Sequence, residues 1–239
     1  MAQQWKVSRE DQDAFAFASH QKAIAAQLAG EFADELFPVK IASRSMDVAR
    51  GEVDIKWDDF VKDEGPRHDT SLEALAKLKS PFAMRGSVTA GNSSQTSDGA
   101  GALILASEDA VKTFGLTPLA RFVSFAVRGV PPEIMGIGPK EAIPAVLKKA
   151  GVSLQDIDWI ELNEAFAAQA LAVTRDLQLD QGKVNPLGGA IALGHPLGAT
   201  GAIRAATAIH ALQRRNLRYA MVTMCVGMGM GAAGLFERC

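Results

Sequence analysis

The sequence N-P-L-G-G-A-I-A-L-G-H-P-L-G-A-T-G at residues 185–201 combines closely spaced glycines with one histidine, His195. Glycine has no Cβ atom, so such a segment can turn sharply and bring its backbone close to a bound molecule. Apolar residues then recur at helical spacing, which predicts a helix over residues 201–213 with Thr200 as its N-cap. His195 is therefore predicted on a tight loop before a helix N-terminus, where the partial positive charge favours a polarising or proton-transferring group.

Two other interpretations of this loop remain open. Residues 194–201 fit the spacing G-x-x-x-G-x-x-G, which would suit a phosphate-binding loop. A glycine pattern of this kind is weak evidence, because no clear buried strand precedes it in the expected way. In the other interpretation His195 is a structural histidine in a turn, which is the default for most histidines. Polar residues elsewhere in the chain are needed to choose between these interpretations.

The composition excludes several classes of protein. The chain has 239 residues, of which 48% are hydrophobic and 22% charged, and its net charge is −2. These values predict a globular protein, and the near-neutral charge argues against a nucleic-acid binder. No apolar run is long enough to span a membrane, and the N-terminus lacks the apolar core of a signal peptide. The two cysteines, Cys225 and Cys239, form no disulfide framework, so we expect a reducing cytoplasm.

The second half of the chain alternates between strand and helix patterns, which predicts an α/β fold with a mixed sheet and helices on both faces. The predicted strands are residues 101–106, 120–127, 157–162, 219–225 and 231–237. The predicted helices in this half, besides the one after the glycine loop, are residues 108–114, 138–150 with a break near Pro144, and 165–177.

The earlier part of the chain is predicted to be mainly helical and irregular. A helix with Ser8 as N-cap is expected over residues 8–33, followed by a short strand at 37–41. Residues 42–68 are interpreted as an irregular surface excursion with room for one hairpin. A short helix at 71–79, capped by Asp69 or Thr70, is expected next.

Three predicted segment ends carry polar residues, and α/β folds bind ligands at the carboxyl ends of their strands. Asn163 and Glu164 follow one strand, His195 lies in the glycine loop, and Cys225 ends another strand. The glycines after Cys225 expose backbone N–H groups, which could bind a developing oxyanion beside a thiol that moves a proton. Taken singly, each residue has an ordinary structural role: Cys225 as a buried inert thiol, Asn163 as a helix cap, Glu164 as a solvated or buried acid.

Taken together, these residues belong to motifs that resemble the thiolase family. Three of the motifs are similar to its C-terminal signatures: L-N-E-A-F-A at 162–167, G-G-A-I-A-L-G-H-P-L-G-A-T-G at 188–201 and C-V-G-M-G at 225–229. Three others are similar to earlier parts of the family: S-R-E-D-Q-D at 8–13, D-E-G-P-R-H-D-T at 63–70 and G-S-V-T-A-G-N-S-S at 86–94. The resemblance covers the whole chain and favours the acetyl-CoA acetyltransferase and 3-ketoacyl-CoA thiolase branch. The sterol-carrier branch usually has a His-Asp pair in place of Asn163 and Glu164.

The resemblance implies a thiolase-like fold and a catalytic role for each of five residues. His195 would activate the nucleophilic thiol and, with a water held by Asn163, bind the thioester oxygen. Cys225 would exchange a proton with the acetyl-CoA methyl carbon, and the N–H of Gly227 would form part of a second oxyanion hole. Glu164 would support the site from behind. This division suits Claisen chemistry, because hydrogen bonds to the thioester oxygen stabilise the enolate while a nearby thiolate accepts the proton.

The resemblance also implies where coenzyme A binds. The implied contacts are Ala90, Gly91 and Ser94 along the pantetheine, Arg67 and Phe82 at the nucleotide end, and Ala165 and Phe166 at the thioester end. No cofactor is expected beyond the coenzyme A thioesters that serve as substrates, and the sequence contains no metal-ligand cluster.

Members of the family also have a nucleophilic cysteine in their N-terminal half, and this chain has no cysteine before Cys225. By comparison with the family, residues 1–96 would be the remainder of the loop domain, 97–118 the last strand and helix of a missing N-terminal half, and 119–239 the C-terminal domain. The strand at 101–106 would then lack its usual neighbours and invite pairing with another chain.

The implied activity is the reversible Claisen condensation, or thiolytic cleavage, of a 3-ketoacyl-CoA, as in fatty acid β-oxidation. The nucleophile would lie outside this chain, which alone is expected to be inactive. Two alternatives remain: one half of a split thiolase, and a non-catalytic coenzyme-A-binding or assembly module. Acyl-CoA and coenzyme A are the expected small-molecule partners, together with further copies of the chain in a homo-oligomer or with the missing half. Neither a nucleic acid nor a membrane is expected as a partner.

Overall fold

The first element of the structure, a computed structural model that describes residues 1–239, is one long helix, α1 (Arg9–Leu28). Its N-cap is Ser8, whose side-chain oxygen accepts a hydrogen bond from the N–H of Asp11, as predicted. The helix stops before the predicted end because the chain turns at Gly30, whose φ of 70° lies in the left-handed region.

A separate two-stranded antiparallel sheet follows, formed by β1 (Val39–Asp47) and β2 (Glu52–Phe60). This confirms the single hairpin that was expected, although its first strand is longer than the predicted strand at 37–41. Next comes the short helix α2 (Leu72–Ala76), which is capped by Ser71 and not by Asp69 or Thr70.

The predicted strand at residues 101–106 is wrong, because this segment has no regular secondary structure. Its apolar side chains are exposed, with Ile104 at 95% and Leu105 at 86% of full exposure. A strand needs a neighbour for its backbone hydrogen bonds, and no other segment of this chain pairs with it. The helix that follows, α3 (Glu108–Phe114), is confirmed and ends at Gly115 in the left-handed conformation.

The second half of the chain contains eight further elements, which are β3 (Ala120–Gly129), α4 (Gly138–Ala150), β4 (Trp159–Leu162), α5 (Ala167–Asp176), α6 (Ala190–Leu193), α7 (Thr200–Arg214), β5 (Tyr219–Val226) and β6 (Met230–Arg238). The predicted strands and helices here agree with these bounds to within about two residues, the usual uncertainty of helix and strand ends. The short helix α6, inside the glycine loop, was not predicted.

Helix α4 continues through Pro144, so the predicted break near this residue is wrong. Proline removes one helical hydrogen bond and crowds the preceding turn. The helix nevertheless buries Ile143, Val146 and Leu147 against the sheet. Burial of side chains of this size contributes about 1.5–3 kcal/mol each, which exceeds the cost of the proline.

Four strands form the central sheet in the order β3-β6-β5-β4. β4 is parallel to β5, whereas β6 is antiparallel to both of its neighbours. Successive residues of one strand enter different cores: Met221 packs with α4 on one face, and Ala220 and Val222 pack with α7 on the other. The predicted mixed sheet with helices on both faces is therefore confirmed.

None of the helices has both the length and the apolar character that crossing a membrane would require.

Candidate active site

The carboxyl ends of β4 and β5 lie side by side and place two of the predicted residues at one edge of the sheet. Leu162 of β4 pairs with Thr223 of β5, and the next residue, Asn163, donates its backbone N–H to the Thr223 carbonyl at 2.9 Å. Cys225 lies two residues beyond Thr223 on β5 and is buried. Parallel pairing of these strands therefore brings Asn163 and Cys225 to the same end of the sheet.

The glycine loop brings His195 to this edge. The side-chain amide nitrogen of Asn163 lies 3.2 Å from Nε2 of His195, although the two residues are 32 positions apart in sequence. Asn163 is 1% exposed, and its amide oxygen has no hydrogen-bond partner in the protein. A buried amide oxygen without a partner costs free energy, and a bound water or ligand group would satisfy it.

Thr200 determines which ring nitrogen of His195 carries the proton. The Thr200 hydroxyl donates to the carbonyl of Pro196 at 2.9 Å and lies 2.7 Å from Nδ1 of His195. A hydroxyl has one proton, so it accepts a hydrogen bond from Nδ1–H of the imidazole. Nε2 is then unprotonated and faces Asn163, which is the arrangement a general base requires.

The predicted role of Thr200 as N-cap is wrong, because the N-cap of α7 is Ala199 and Thr200 is the first helical residue. Its hydroxyl is bound to His195 and Pro196 and is not free to cap the helix. Sequence reasoning missed Thr200 as a site residue. The available signal was its position five residues after the histidine, at the start of a helix.

The surroundings of His195 favour its neutral form. Burial lowers the pKa of the imidazole, and the positive charge of Arg204 lowers it further. The ring is therefore largely unprotonated at neutral pH and able to accept a proton.

Cys225 is a protonated thiol at neutral pH. Burial raises the pKa of this thiol to about 11, because no positive charge lies close enough to stabilise the thiolate. It forms no disulfide bond. Such a group readily gives a proton to a carbanion, and its thiolate, once formed, is a strong base.

Gly227 begins the three-residue turn that joins β5 to β6. No atom lies within 4 Å of the position that a Cβ atom of Gly227 would take, so this part of the turn faces open space. Gly229 shapes the turn, since its φ is 87° and a Cβ atom there would lie 2.2 Å from the Val130 carbonyl oxygen. Gly227 is exposed and lies two residues after Cys225, and its role in an oxyanion hole stays a prediction.

Glu164 is a buried acid next to Asn163. It is 2% exposed and its oxygens accept hydrogen bonds from Ser19 of α1 at 2.7 Å, Asn185 at 2.8 Å and the N–H of Ile191 at 3.3 Å. Its carboxylate therefore links α1 to Asn185 and to Ile191 of α6, which both precede His195 in the glycine loop.

Asn185 and Ser19 were missed from the sequence. The Asn185 side chain binds both the N–H and the carbonyl of Leu162, at 2.9 and 2.8 Å, and so fixes the end of β4. The Ser19 hydroxyl also accepts a hydrogen bond from the N–H of Gly189 at 3.0 Å. No local sequence pattern predicts such contacts, because the partners are distant in sequence.

Comparison with known proteins agrees with this geometry. A family model described as the thiolase C-terminal domain matches residues 116–238, and one described as the thiolase N-terminal domain matches residues 1–109. The 3-ketoacyl-CoA thiolase of Bacillus subtilis (strain 168) is 53% identical over 239 residues, which are 100% of this chain and 61% of that protein. This chain belongs to the thiolase family.

Two solved structures show that the fold is that of thiolases. The Bacillus anthracis acetyl-CoA acetyltransferase superposes with a TM-score of 0.93 at 46% identity, over 100% of this chain and 58% of that chain. Human mitochondrial 3-ketoacyl-CoA thiolase in complex with CoA gives a TM-score of 0.89 at 46% identity, over 100% and 57%. The chain thus spans 57–61% of the length of these thiolases.

The family models correct one expectation. The N-terminal domain model matches residues 1–109, so this thiolase chain contains segments of both family domains and does not lack the N-terminal one altogether. The finer division at residues 96 and 118 stays a prediction.

Most residues that the thiolase resemblance assigns to coenzyme A lie close together next to the site. The N–H of Ser94 donates to the Ala165 carbonyl at 2.9 Å, and the neighbouring Ser93 forms a β-bridge with Phe166. Phe82 packs edge-on against Phe166, with their ring centroids 6.4 Å apart. These contacts place the segment around residue 90 beside the end of β4.

Ala90 and Gly91 lie in a short 3₁₀ turn four and three residues before Ser94. A Cβ atom on Gly91 would lie 2.5 Å from side-chain carbons of Leu75 and Leu78, so this turn packs closely on α2 and the residues after it. Arg67 differs from the rest: it is exposed, and the contact that holds it is a backbone hydrogen bond to His20 of α1.

No group of three or more His, Cys, Asp or Glu side chains has an arrangement suited to a metal ion.

Proposed function

We propose that this chain carries the enolate-stabilising and proton-transferring part of a thiolase active site. The reaction is the reversible Claisen condensation of acetyl-CoA to a 3-ketoacyl-CoA, or its thiolytic cleavage. One observation carries the proposal: Nε2 of His195 lies 3.2 Å from the Asn163 amide, at the sheet edge where Cys225 ends the neighbouring strand.

In the condensation direction, the Cys225 thiol first gives its proton to the coenzyme A thiolate that leaves when one acetyl-CoA acylates the nucleophilic cysteine. The resulting Cys225 thiolate then removes a proton from the methyl carbon of a second acetyl-CoA. The electron pair of that C–H bond moves toward the thioester oxygen and gives an enolate, which is the costly step in water. His195, protonated at Nε2 by the proton that it takes from the nucleophilic thiol, and a water bound by Asn163 supply hydrogen bonds to that oxygen. The enolate carbon then attacks the acyl group carried by a nucleophilic cysteine, and the cysteine leaves as a thiolate.

In the cleavage direction, Cys225 returns its proton to the enolate carbon and releases acetyl-CoA. The high pKa of its thiol, about 11, suits this exchange because a weakly acidic thiol gives a strongly basic thiolate. The N–H of Gly227 is proposed to bind the second oxyanion, which forms at the acyl carbonyl.

The acyl-carrying nucleophile is proposed to come from outside this chain. The sequence has two cysteines, and Cys225 is assigned to proton transfer. Cys239 follows the far end of β6, eight residues from Gly231, the partner of Cys225. At about 3.3 Å per strand residue, this separation is roughly 25 Å, so Cys239 cannot act at the same substrate.

Coenzyme A thioesters are the proposed ligands, with no additional cofactor. Support comes from the relative solved with CoA and from the cluster of Ser94, Ala165, Phe166 and Phe82 beside the site. Phe82 is 71% exposed, which leaves its ring free to pack against a ligand.

A cellular compartment and an association with other chains are also proposed. Both cysteines are free thiols, which supports a reducing compartment such as the cytoplasm. The edge strand β3 exposes Phe122, Phe125 and Val127, which supports association with further copies or another segment of the enzyme.

The test uses the enzyme with its nucleophilic cysteine present. Replacing Cys225 by Ala is expected to slow carbon–carbon bond formation strongly while affecting acyl transfer to the nucleophile much less. Cys239→Ala is the matched control and should alter neither step. An equal loss of both half-reactions in Cys225→Ala would contradict the assigned role, and coenzyme A binding without any turnover would favour a binding module.

A further inference from the structure

A second group of buried polar side chains lies beneath the glycine loop, centred on Arg204 of α7. Arg204 is 3% exposed. Its Nη1 lies 3.4 Å from the Glu161 carboxylate and 3.4 Å from the carbonyl oxygen of Gly188. Glu161, on β4, is itself 1% exposed, and its other oxygen accepts a hydrogen bond from the Trp159 indole at 2.7 Å. Three separate elements therefore meet at one guanidinium.

These contacts lie at the two ends of the loop that carries His195. Gly188 opens the loop, where its φ of 82° turns the chain away from Asn185. Arg204 is in the second turn of the helix that closes the loop. One side chain thus connects the start of the loop with the helix after it, and Glu161 ties that connection to the sheet.

We propose that Arg204 is a positioning residue of the active site, which closes the base of the glycine loop by binding the Gly188 carbonyl and the Glu161 carboxylate together. Both contacts are made by Nη1, which the planar guanidinium holds in a fixed orientation; the flexible ammonium of a lysine could supply the charge but not this fixed geometry. The consequence for the site is geometric, because the loop between these two anchors carries the imidazole that faces Asn163.

Arg204 also has an electrostatic effect on the site. Its positive charge lowers the pKa of His195, in addition to the larger effect of burial. Removing this charge is therefore expected to raise the pKa of His195. In the proposed reaction that change would protonate the base over a wider range of acidic pH.

Several other charged groups face this cluster and have to be considered with it. They come from the segments after α1 and β2, from the end of β4, and from α7 itself: Glu35, Asp63, Glu164 and Arg214. Burial raises the pKa of Glu161 and of Glu35 to about 7, and it raises the pKa of Asp63 as well. Arg204 opposes each of these three shifts, so it is the shared counter-ion of the cluster.

The inference rests on the proposed function only for the catalytic meaning of His195, and its test does not need turnover. The imidazole is titrated by NMR in ¹³C-histidine-labelled protein, with its signal assigned by His195→Gln. Arg204→Met is expected to raise the pKa of His195, whereas Arg204→Lys keeps it close to that of the unmodified protein. Arg175→Met removes an exposed arginine of α5 and is the matched control, with no change expected.

Amide hydrogen exchange tests the geometric part on the same proteins. Peptides covering residues 186–199 are expected to exchange about fivefold faster in both Arg204→Met and Arg204→Lys, the factor that one lost hydrogen bond gives. The control should exchange at the original rate. A role of Arg204 in overall stability alone would raise exchange throughout the chain and leave the His195 titration unchanged, which would overturn the proposal.

Arg204→Met leaves Glu161 buried without a partner and risks unfolding. The double variant Arg204→Met with Glu161→Met avoids this, because no uncompensated charge remains. If that protein folds and both the His195 titration and the loop exchange match the original, the proposal is refuted. Absence of thiolase turnover in the unmodified enzyme with its nucleophilic cysteine present would instead refute the proposed function and would leave these measurements intact.

Discussion

Glu161→Gln is predicted to remove a large part of the pH dependence of folding stability. Burial raises the pKa of Glu161 from 4.5 to about 7 in the folded protein. Between these values the folded state holds a proton that the unfolded state has lost. The contribution of protonated Glu161 to the free energy of unfolding is therefore complete below pH 4.5 and is lost as the pH rises through about 7. The difference between the two pKa values corresponds to about 3 kcal/mol for this one group.

Glutamine keeps the size of the side chain and can still accept the Trp159 hydrogen bond, but it cannot titrate. Urea unfolding at a series of pH values between about 4.5 and 8 measures the free energy of unfolding directly. Across this range Glu161, together with Glu35, whose pKa is also raised to about 7, lowers the stability of the unmodified protein as the pH rises. The Gln variant should lose about 3 kcal/mol less.

Glu133→Gln is the matched control, because Glu133 is exposed and lies outside the cluster. Its stability profile should follow that of the unmodified protein. If Glu161→Gln shows the same decline with pH as the unmodified protein, Glu161 is ionised throughout. The reasoning about its burial would then be refuted.

Two further substitutions test the framework of the site. Gly189→Ala would place a Cβ atom 2.1 Å from the Glu164 carboxyl carbon, so urea unfolding should show a destabilisation of about 1–3 kcal/mol. Gly201→Ala is the control, because the nearest atom to its Cβ would lie at 3.9 Å, and it should not destabilise the fold. Equal effects of the two substitutions would show that Glu164 moves freely. Thr200→Val removes the oxygen that binds Nδ1 of His195 and should slow proton exchange at acetyl-CoA by about tenfold or more, the usual size of a lost positioning contact, while Thr200→Ser keeps the rate. A Val variant as fast as the Ser variant would mean that the tautomer is fixed by other contacts.

The sequence predicted the second half of the fold well because its strands are short apolar runs with clear turn residues between them. β5 and β6 illustrate this, since both were located within one residue of their bounds. Residues 101–106 have the same apolar composition but form no strand, because strand formation depends on a pairing partner that composition does not reveal. The helix inside the glycine loop, Ala190–Leu193, was too short for a periodic signal.

The candidate site likewise contains residues that the sequence could identify and residues that it could not. Asn163, His195 and Cys225 could be selected because each lies at the end of a strand or before a helix within a distinctive motif. Their meeting at one sheet edge was implied by the resemblance, and the structure places the Asn163 amide 3.2 Å from His195. Ser19 and Arg204 could not be selected, because their roles depend on tertiary contacts: Ser19 binds Glu164 across 145 residues of sequence.

Deuterium incorporation into the methyl group of acetyl-CoA tests the central claim most directly, because it requires proton removal and enolate stabilisation but no acyl-carrying cysteine. The chain is incubated with acetyl-CoA in D₂O at a series of pD values between about 7 and 10, because the fraction of Cys225 present as the thiolate rises toward its pKa of about 11. Loss of the methyl signal is followed by ¹H NMR. We predict exchange that disappears in Cys225→Ala, falls sharply in His195→Ala and Asn163→Ala, and persists in Cys239→Ala. Exchange that is unchanged in Cys225→Ala, or absent from a chain that demonstrably binds acetyl-CoA, would contradict the account.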